Sequence, residues 1–534
     1  MICFKEVTFS YPQKDLYNKI SFEIREGDHA VLIGSNGTGK STLLNLILDR
    51  DSYTYEGIIK IDENIRIGMV SQFVNHEEST ITSYEYLAEP FTELQRQNDA
   101  ICEEMGTAED MDEVYGRYQK ILDEMDALDA YNYAANIGKQ LALAGLSEIA
   151  DVPVNAISGG EYKMLSIIRN MLLKPQLLIM DEPDVFLDFE NSIGLMKLIN
   201  AYQGTILVIT HNRLLLNQCF NKILHIENEE LQEFPGSFAE YNAAMLDTKI
   251  NMQENAAKFD DFIQIQEKVI ERIRAAATNT PNPKSGNQLK ARVSYLERLK
   301  VKRGKNPFIE EHPYQFRFPE IDEEKKNGTP QTAIAVEGYS LCYDRPILTD
   351  VSFTIKEGEK VAVVGANGTG KSSLLQDVYE MTKKVDPERV GFFRQIYDED
   401  GAEQLSGGER NLRQLYALAD SKAEILFLDE PTSHLDMYAQ IALEEAIRAY
   451  EGTVLLVSHD FFTVTNCADR ILILENGTIR EMSGRAYRKS IYKKYFSSDI
   501  FEQEKLRKEK EVQIHALLKE GKHEEARAVF EKNK

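Results

Sequence analysis

A four-part series of motifs occurs twice in this chain, in one order and with one spacing. The first series is Gly34-Ser-Asn-Gly-Thr-Gly-Lys40-Ser41, then Ser158-Gly-Gly-Glu161, then Leu177-Leu-Ile-Met running into Asp181-Glu182-Pro183, then His211. The second is Gly365-Ala-Asn-Gly-Thr-Gly-Lys371-Ser372, then Ser406-Gly-Gly-Glu409, then Ile425-Leu-Phe-Leu running into Asp429-Glu430-Pro431, then His459. Serine to aspartate is 23 positions in both series, and aspartate to histidine is 30 in both. Chance does not repeat such an order. The chain contains a duplicated module, and each copy has the parts of a nucleotide-hydrolysing domain. The expected fold class is α/β, with two tandem phosphate-loop domains joined by a long α-helical hairpin.

A glycine-rich loop between strand and helix turns backbone N–H groups inward on nucleotide phosphates. The first loop supplies Gly34, Ser35, Asn36, Gly37, Thr38, Gly39, Lys40, Ser41 and Thr42. The second supplies Gly365, Ala366, Asn367, Gly368, Thr369, Gly370, Lys371, Ser372 and Ser373. Lys40 and Lys371 reach the β/γ oxygens, and Ser41 and Ser372 can ligate Mg2+. Four apolar residues followed by Asp-Glu describe a buried strand ending in carboxylates. Asp181 and Asp429 are placed to hold Mg2+ through its water, and Glu182 and Glu430 to polarise the attacking water. Gln72 and Gln395 close matched strands and are candidates to sense Mg2+ or the γ-phosphate. His211 and His459 each end a strand and are candidate γ-phosphate contacts. Tyr11 and Tyr343 precede the second strand of each half and are placed to stack on adenine.

The 534 residues suffice for two or three domains. No run of about 18 apolar residues occurs, so nothing is expected to span a membrane. The first residues, Met1-Ile-Cys-Phe-Lys-Glu-Val, enter a strand pattern without a leader, and a cytoplasmic chain is expected. Cys3, Cys102, Cys219, Cys342 and Cys467 lack metal or disulfide spacing and read as reduced thiols. A net charge of −25 argues against a protein that coats nucleic acid over its whole surface.

The first module is expected at 1–237, with an acidic helical arm inserted at about 85–129. A helical hairpin is expected at 238–311, with its tip at about 278–287, then the second module at 312–484. A helical extension at 485–534 begins basic. The second arm of the hairpin carries Lys284, Lys290, Arg292, Arg298, Lys300, Lys302 and Arg303, the clearest basic stripe in an acidic chain and a candidate RNA-binding surface. A solvated face is the bland alternative for such a stripe.

Phosphate loop, Ser-Gly-Gly-Glu, Asp-Glu-Pro and trailing histidine together resemble the ATP-binding cassette ATPases. Two cassettes without a membrane domain, joined by a basic helical hairpin, resemble the ABC-F family of ribosome-associated ATPases. The resemblance implies ATP and Mg2+ as ligands, ATP hydrolysis, and a monomer whose two cassettes pair head to tail. One site then combines Lys40, Glu182 and His211 with Ser406, Gly407 and Gly408. The other combines Lys371, Glu430 and His459 with Ser158, Gly159 and Gly160. It also implies a ribosomal partner at the tRNA exit site, with contacts to rRNA, tRNA and ribosomal proteins, the acidic arm facing the mobile stalk. Within the family the chain is closer to the antibiotic-resistance branch, through its proline-bearing tip and first-half departure; a factor that relieves stalled translation is the alternative. A transporter ATPase subunit would need coupling surface near Gln395. A DNA-repair ATPase would carry its coiled coil inside a cassette rather than between two. A non-catalytic ATP-gated scaffold would not need Glu182 and Glu430.

Two departures matter. The first half has Asp184-Val-Phe186-Leu-Asp188 where the second has Thr432-Ser-His434-Leu-Asp436, which puts a polar contact across the interface in doubt. Few residues separate Gln395 from Ser406, so the second cassette lacks most of a helical lobe.

Overall fold

A computed structural model describes residues 1–12, 14–63, 65–72, 79–106, 110–279, 293–294, 314–321, 331–343, 346–395, 407–496 and 498–531. The chain divides into two compact units. One holds Met1–Phe238 and Pro313–Tyr495, the other Ala239–His312 and Phe496–Lys534.

Both cassettes lie in the first unit. The strands of the first are β1 (Ile2–Tyr11), β2 (Lys14–Ile24), β3 (His29–Ile33), β4 (Glu56–Ile61), β5 (Ile67–Val70), β6 (Leu177–Asp181), β7 (Thr205–Ile209), β8 (Lys222–Glu227) and β9 (Glu230–Pro235). Those of the second are β10 (Thr332–Cys342), β11 (Pro346–Lys356), β12 (Lys360–Gly365), β13 (Val390–Phe393), β14 (Ile425–Asp429), β15 (Thr453–Val457), β16 (Arg470–Glu475) and β17 (Thr478–Ser483). The first central sheet runs β5-β6-β7-β3-β8-β9 and the second β13-β14-β15-β12-β16-β17, the same order by position. Each is parallel except for its last hairpin. Parallel strands are covered on both faces, which explains the unbroken apolar runs of β6, β7, β14 and β15. Beside each central sheet is a smaller antiparallel one, β2-β1-β4 or β10-β11. Phe4, Tyr17 and Ile24 of the small sheet bury with Leu43 and Leu44 of the helix Lys40–Leu48 against Ile179 and Leu207 of the large one.

This order sets the carboxyl ends of β6, β7 and β3 side by side. Asp181, His211 and the phosphate loop follow those three ends, the usual place for a ligand in an open α/β sheet.

The acidic arm is a pair of contacting helices, Ser83–Met105 and Met111–Leu128. Thr82 begins it with a capping box: its hydroxyl accepts from the Glu85 N–H at 3.1 Å, and the Glu85 carboxylate accepts from the Thr82 N–H at 2.8 Å. In the second cassette only residues 394–406 lie between β13 and the helix Gly407–Ala419.

The second unit contains most of the helix Phe238–Asn279, 42 residues and so about 60 Å long. Leu246 and Ile250 of this helix bury against Ile514 and Leu518 of Ser498–Lys519 and Ala526 of His523–Glu531. Arg527 Nε donates to Glu254 Oε1 at 2.6 Å beside that contact. The first arm of the expected hairpin is therefore helical to Asn279, with Thr278 still inside the helix. The rest of the tip and the basic residues Lys284, Lys290, Arg292, Arg298, Lys300, Lys302 and Arg303 lie outside the described residues.

Candidate nucleotide sites

Each phosphate loop is closed by a left-handed glycine, Gly39 at φ +94° and Gly370 at φ +85°, immediately before its lysine. Lys40 Nζ donates to the carbonyls of Gly34 and Ser35, both at 2.9 Å. Lys371 Nζ donates likewise to Gly365 at 3.0 Å and Ala366 at 2.7 Å. Thr38 and Thr369 tie the turn through their hydroxyls to the carbonyls of Ser35 and Ala366. Ser35 donates from N and Oγ to the buried Glu227. Burial holds both lysines below the usual ammonium range, while the nearby carboxylates oppose that shift.

Ser372 Oγ donates to Asp429 Oδ1 at 3.0 Å; Ser41 and Asp181 stand at the matched positions of the first cassette. Burial raises both aspartates. The next residue in each strand exit, Glu182 or Glu430, has a left-handed backbone at φ +45° or +48°, a strained conformation for a side chain with a Cβ. Each is locked there by its own N–H, which donates at 2.9 Å to the carbonyl of Ile209 or Val457. Gln72 Nε2 donates to Glu182 Oε2 at 2.6 Å. His459 donates its backbone N–H to Glu430 Oε2 at 3.1 Å, and its Nε2 lies 3.5 Å from Oε1.

Burial pushes Glu182 up to about 7, helped by Asp184 and Asp181, and pushes Glu430 up to about 8. Burial and then the lysine charge drive His459 down to about 3 and His211 well below its ordinary value, so both imidazoles are neutral. Among the described residues, His211 Nε2 and Glu430 Oε1 are buried without a hydrogen-bond partner. Buried polar atoms are normally paired. Together with glycine N–H cradles and buried lysines, these two atoms fit a polyphosphate and its cation.

The cassettes meet through their loops, and the contacts are reciprocal. Asn36 N donates to Asp436 Oδ2 at 3.0 Å, and Asn36 Nδ2 donates to the His434 carbonyl at 2.9 Å. Asn367 N donates to Asp188 Oδ2, and Asn367 Nδ2 donates to the Phe186 carbonyl, both at 3.1 Å. The acceptor at position 186 is backbone, held outward by φ +68° as His434 is by φ +58°. Phenylalanine there therefore leaves the polar contact across the interface intact.

Gly160 and Gly408 face the opposite loops. A Cβ on Gly160 would lie 3.2 Å from Asn367 Nδ2, and one on Gly408 2.6 Å from Asn36 Nδ2. A cavity of about 630 Å³ is lined by Ser158, Gly159, Gly160, Lys371, Ser372, Gln395, Glu430 and His459. Ser158 begins its helix with a capping box: Oγ accepts from the Glu161 N–H at 3.3 Å, and Glu161 accepts from the Ser158 N–H at 2.8 Å. Ser406 lies outside the described residues; Gly407 opens the matching helix. Tyr343 is exposed, with its hydroxyl 3.1 Å from Ser373 Oγ. Tyr11 is exposed and edge-on to Phe9, with centroids 5.1 Å apart. Thr42 lies in the helix Lys40–Leu48 that follows the first loop.

Three kinds of participant were not singled out from the sequence. Lys14 Nζ donates to the Gly37 carbonyl at 2.7 Å, and Tyr17 O–H to the Gly39 carbonyl at 2.5 Å. Lys163 Nζ donates to the carbonyls of Ser71 and Gln72 at 2.6 and 2.5 Å, pinning the loop that carries Gln72. Asp188 and Asp436 accept from the opposite phosphate loops. The aspartates repeat at matched spacing and were legible; at the position matched to Lys163 the second half has Asn411.

A protein-family model described as "ABC transporter" matches residues 17–185 and 348–392. The chain carries ABC transporter-type ATP-binding domains in tandem. YdiF of Bacillus subtilis (strain 168), named as an ATP-binding protein, is 29% identical over 539 residues, 90% of this chain and 80% of its own length. "ABC transporter F family member 5" of Arabidopsis thaliana is 26% identical over 544 residues, 89% of this chain and 75% of its own. Among solved structures, the complex of archaeal ribosomal stalk protein aP1 and archaeal ribosome recycling factor aABCE1 contains a chain with the same fold. Its TM-score is 0.53 at 17% identity, with 92% of each chain covered. Among the described residues, no helix is long and apolar enough to cross a membrane.

Proposed function

We propose that this protein is an ABC-F-type ATPase that acts on the ribosome, closing its cassettes on two ATP molecules and opening when they are hydrolysed. The observation that carries the hydrolytic part is the reciprocal pair of contacts, Asn36 with Asp436 and Asn367 with Asp188. They support a head-to-tail arrangement in which each signature motif serves the other cassette's phosphate loop, so that neither site is complete without both cassettes. Similarity to an F family member along most of the chain supports the ABC-F assignment. The fold shared with a chain from a ribosome recycling factor complex, and the basic run from Lys284 to Arg303, support a ribosomal partner.

In this reading Lys40 and Lys371 turn from loop carbonyls to phosphate oxygens. Ser41, Asp181 and Gln72 in one site, and Ser372, Asp429 and Gln395 in the other, hold Mg2+, which neutralises phosphate charge when bound. Glu182 and Glu430 orient the water and take its proton; a carboxylate raised toward neutrality is a stronger base than an exposed one. The neutral imidazoles of His211 and His459 hydrogen-bond the terminal phosphate without adding charge. The signature glycines close each site and exclude water.

The finer reading is ribosome protection: bound at the exit-site region, the hairpin reaches toward the peptidyl-transferase region and alters drug occupancy there. The deciding experiment uses the chain with Glu182→Gln and Glu430→Gln, which keeps shape and removes the base. It should bind ATP, turn over slowly and accumulate on ribosomes, and the captured RNA and proteins should be ribosomal. Wild-type turnover by the double variant would overturn the catalytic assignment; capture of a membrane protein instead would favour the transporter reading. Expression in a susceptible host should raise tolerance to drugs of the peptidyl-transferase centre. Relief of stalling with no change in any drug's inhibitory concentration would replace protection by the translation-factor role. Lys290, Arg292, Lys300 and Arg303 changed to Gln should lower the salt dependence of ribosome binding by roughly one log–log unit per lost phosphate contact.

A further inference from the structure

Arg213 is the first residue of the helix Arg213–Cys219, two positions after His211. Its side chain leaves its own cassette. Nη2 donates to Asp460 Oδ2 at 2.9 Å and also to Glu444 Oε1, and the guanidinium stands 5.0 Å over the Phe462 ring. Asp460 is the residue after His459. Its Oδ1 caps the helix Phe461–Cys467 by accepting from the Phe462 N–H at 2.8 Å. Thr463 Oγ1 donates to Glu444 Oε1 at 2.8 Å and to Asp460 Oδ2 at 3.1 Å, and Asn466 Nδ2 donates to Glu444 Oε2 at 2.9 Å. Only 11% of the Arg213 side chain and 7% of the Glu444 side chain are exposed.

The cluster has no counterpart at the matched positions. Counting from the two histidines, Phe461 stands where Arg213 does and Asn212 where Asp460 does. Counting from Asp188 and Asp436, Met196 stands where Glu444 does. Phe461 instead packs on Phe189 and Tyr492, with centroids 5.6 and 5.7 Å away. One histidine loop is thus gripped by an arginine from the opposite cassette, and the other is not. The grip reaches the site in few bonds: Arg213 holds Asp460, and the preceding residue, His459, donates its backbone N–H to Glu430.

We propose that Arg213 is a positioning residue for the site of Lys371, Glu430 and His459, acting across the interface, so that hydrolysis there depends on how the first cassette is docked. The proposal rests on the hydrolytic reading of the two sites. Removing the guanidinium also strands two carboxylates in a buried place, which is a separate, global effect. The test must tell the two apart.

Two parent proteins do so. In Glu182→Gln, turnover reports the Glu430 site; in Glu430→Gln, it reports the Glu182 site. Adding Arg213→Met should lower kcat in the first parent on the order of ten- to a hundredfold with little change in KM for ATP. The second parent should change much less. Arg213→Lys should restore part of the loss, because an ammonium is a point charge and cannot span both carboxylates as the planar fork does. If Arg213→Met fails to fold, Arg213→Met with Glu444→Gln and Asp460→Asn removes the stranded charge; asparagine already serves as the cap at position 212. The same selective loss is expected. Equal loss in both parents, or none in the first, overturns the proposal and leaves Arg213 with a role in closure alone. Absence of ATP turnover by the wild-type chain is a different failure, that of the hydrolytic reading itself.

Discussion

The two signature helices, Gly159–Leu172 and Gly407–Ala419, are anchored differently. In the first cassette, Gly159–Leu172 lies among the helices of the lobe, and Lys163 ties it back to the carbonyls of Ser71 and Gln72. The second cassette lacks most of that lobe. There the buried Asn411, the residue matched to Lys163, donates to the Ser433 carbonyl at 2.7 Å. Gln414 brackets Arg394, accepting from its N–H and donating to its carbonyl, each at 3.4 Å. Both helices are therefore fastened to the strand exit that carries the glutamine, at Ser71 and Gln72 or at Arg394, and the second is also tied to the loop that meets the other cassette. What differs is the added tie of the second helix, through Asn411, to the loop that carries Asp436.

The comparison breaks first at the catalytic carboxylates. Glu182→Gln and Glu430→Gln, made singly, should each remove the turnover of one site by about a hundredfold or more, the range of a lost general base. The remaining site then reports alone. With Glu182 as the surviving base, kcat/KM should rise with pH through a midpoint near pH 7; with Glu430 the midpoint should lie near pH 8. The sign follows from burial. Each carboxyl is held protonated below its raised pKa, and only the deprotonated form accepts a proton. The same shifts make the ionised carboxylates unfavourable to the fold, a penalty that builds as pH rises from the ordinary value of 4.5 to the raised one and is complete above it. Each Gln variant should therefore gain in Tm over wild type at pH 9 compared with pH 5. Two superimposable pH profiles would erase the difference between the sites.

A smaller effect separates the interfaces. Alanine at Gly408 would bring a methyl within 2.6 Å of Asn36 Nδ2 and 2.7 Å of the His434 carbonyl, one of them backbone. At Gly160 the closest approaches are 3.1 Å to the Phe186 carbonyl and 3.2 Å to Asn367 Nδ2. Overpacking at a close contact costs about 1–3 kcal/mol. Gly408→Ala should sit at the upper end and Gly160→Ala at or below the lower end, read as the ATP concentration needed for closure. Equal effects would mean the second motif has more freedom than its contacts suggest.

What was legible in the sequence was what repeats. The phosphate loops, Asp181-Glu182, Asp429-Glu430 and the two histidines stand at equal spacing, and the strand order brings them together as that spacing requires. Head-to-tail pairing came from family resemblance, since no spacing within one module says which surface of the other it meets. Lys14 and Lys163 stayed hidden because an isolated lysine reads as a solvated charge until its carbonyl acceptors are seen. Arg213, Glu444 and Asp460 stayed hidden for a stronger reason: partners more than 200 positions apart, each present in only one half, leave no mark in a repeat. The doubt attached to Phe186 came from reading a side chain where the backbone makes the bond.

The smallest expected difference concerns the two tyrosines placed to stack on adenine. Both are exposed, at 44% for Tyr11 and 63% for Tyr343, which leaves a ring face free for a base. Their other contacts differ. Tyr11 packs edge-on against Phe9, a core residue of the first small sheet, so its ring also serves the fold. Tyr343 has a polar tie to Ser373, beside the phosphate-loop helix. Losing one aromatic contact removes about 0.5–1.5 kcal/mol, roughly two- to tenfold in affinity. Tyr343→Ala should weaken ATP binding by that amount while leaving Tm close to wild type. Tyr11→Ala should weaken binding and lower Tm together, because the Phe9 contact goes with the ring. Tyr→Phe at each position keeps the stacking face, so affinity should stay near wild type at both. ATP titrations on the four variants, with thermal melts of the free protein, separate stacking from packing. If Tyr11→Ala lowers Tm and leaves ATP affinity unchanged, Tyr11 is a core residue at a strand end, and only the second cassette grips the base with an aromatic ring.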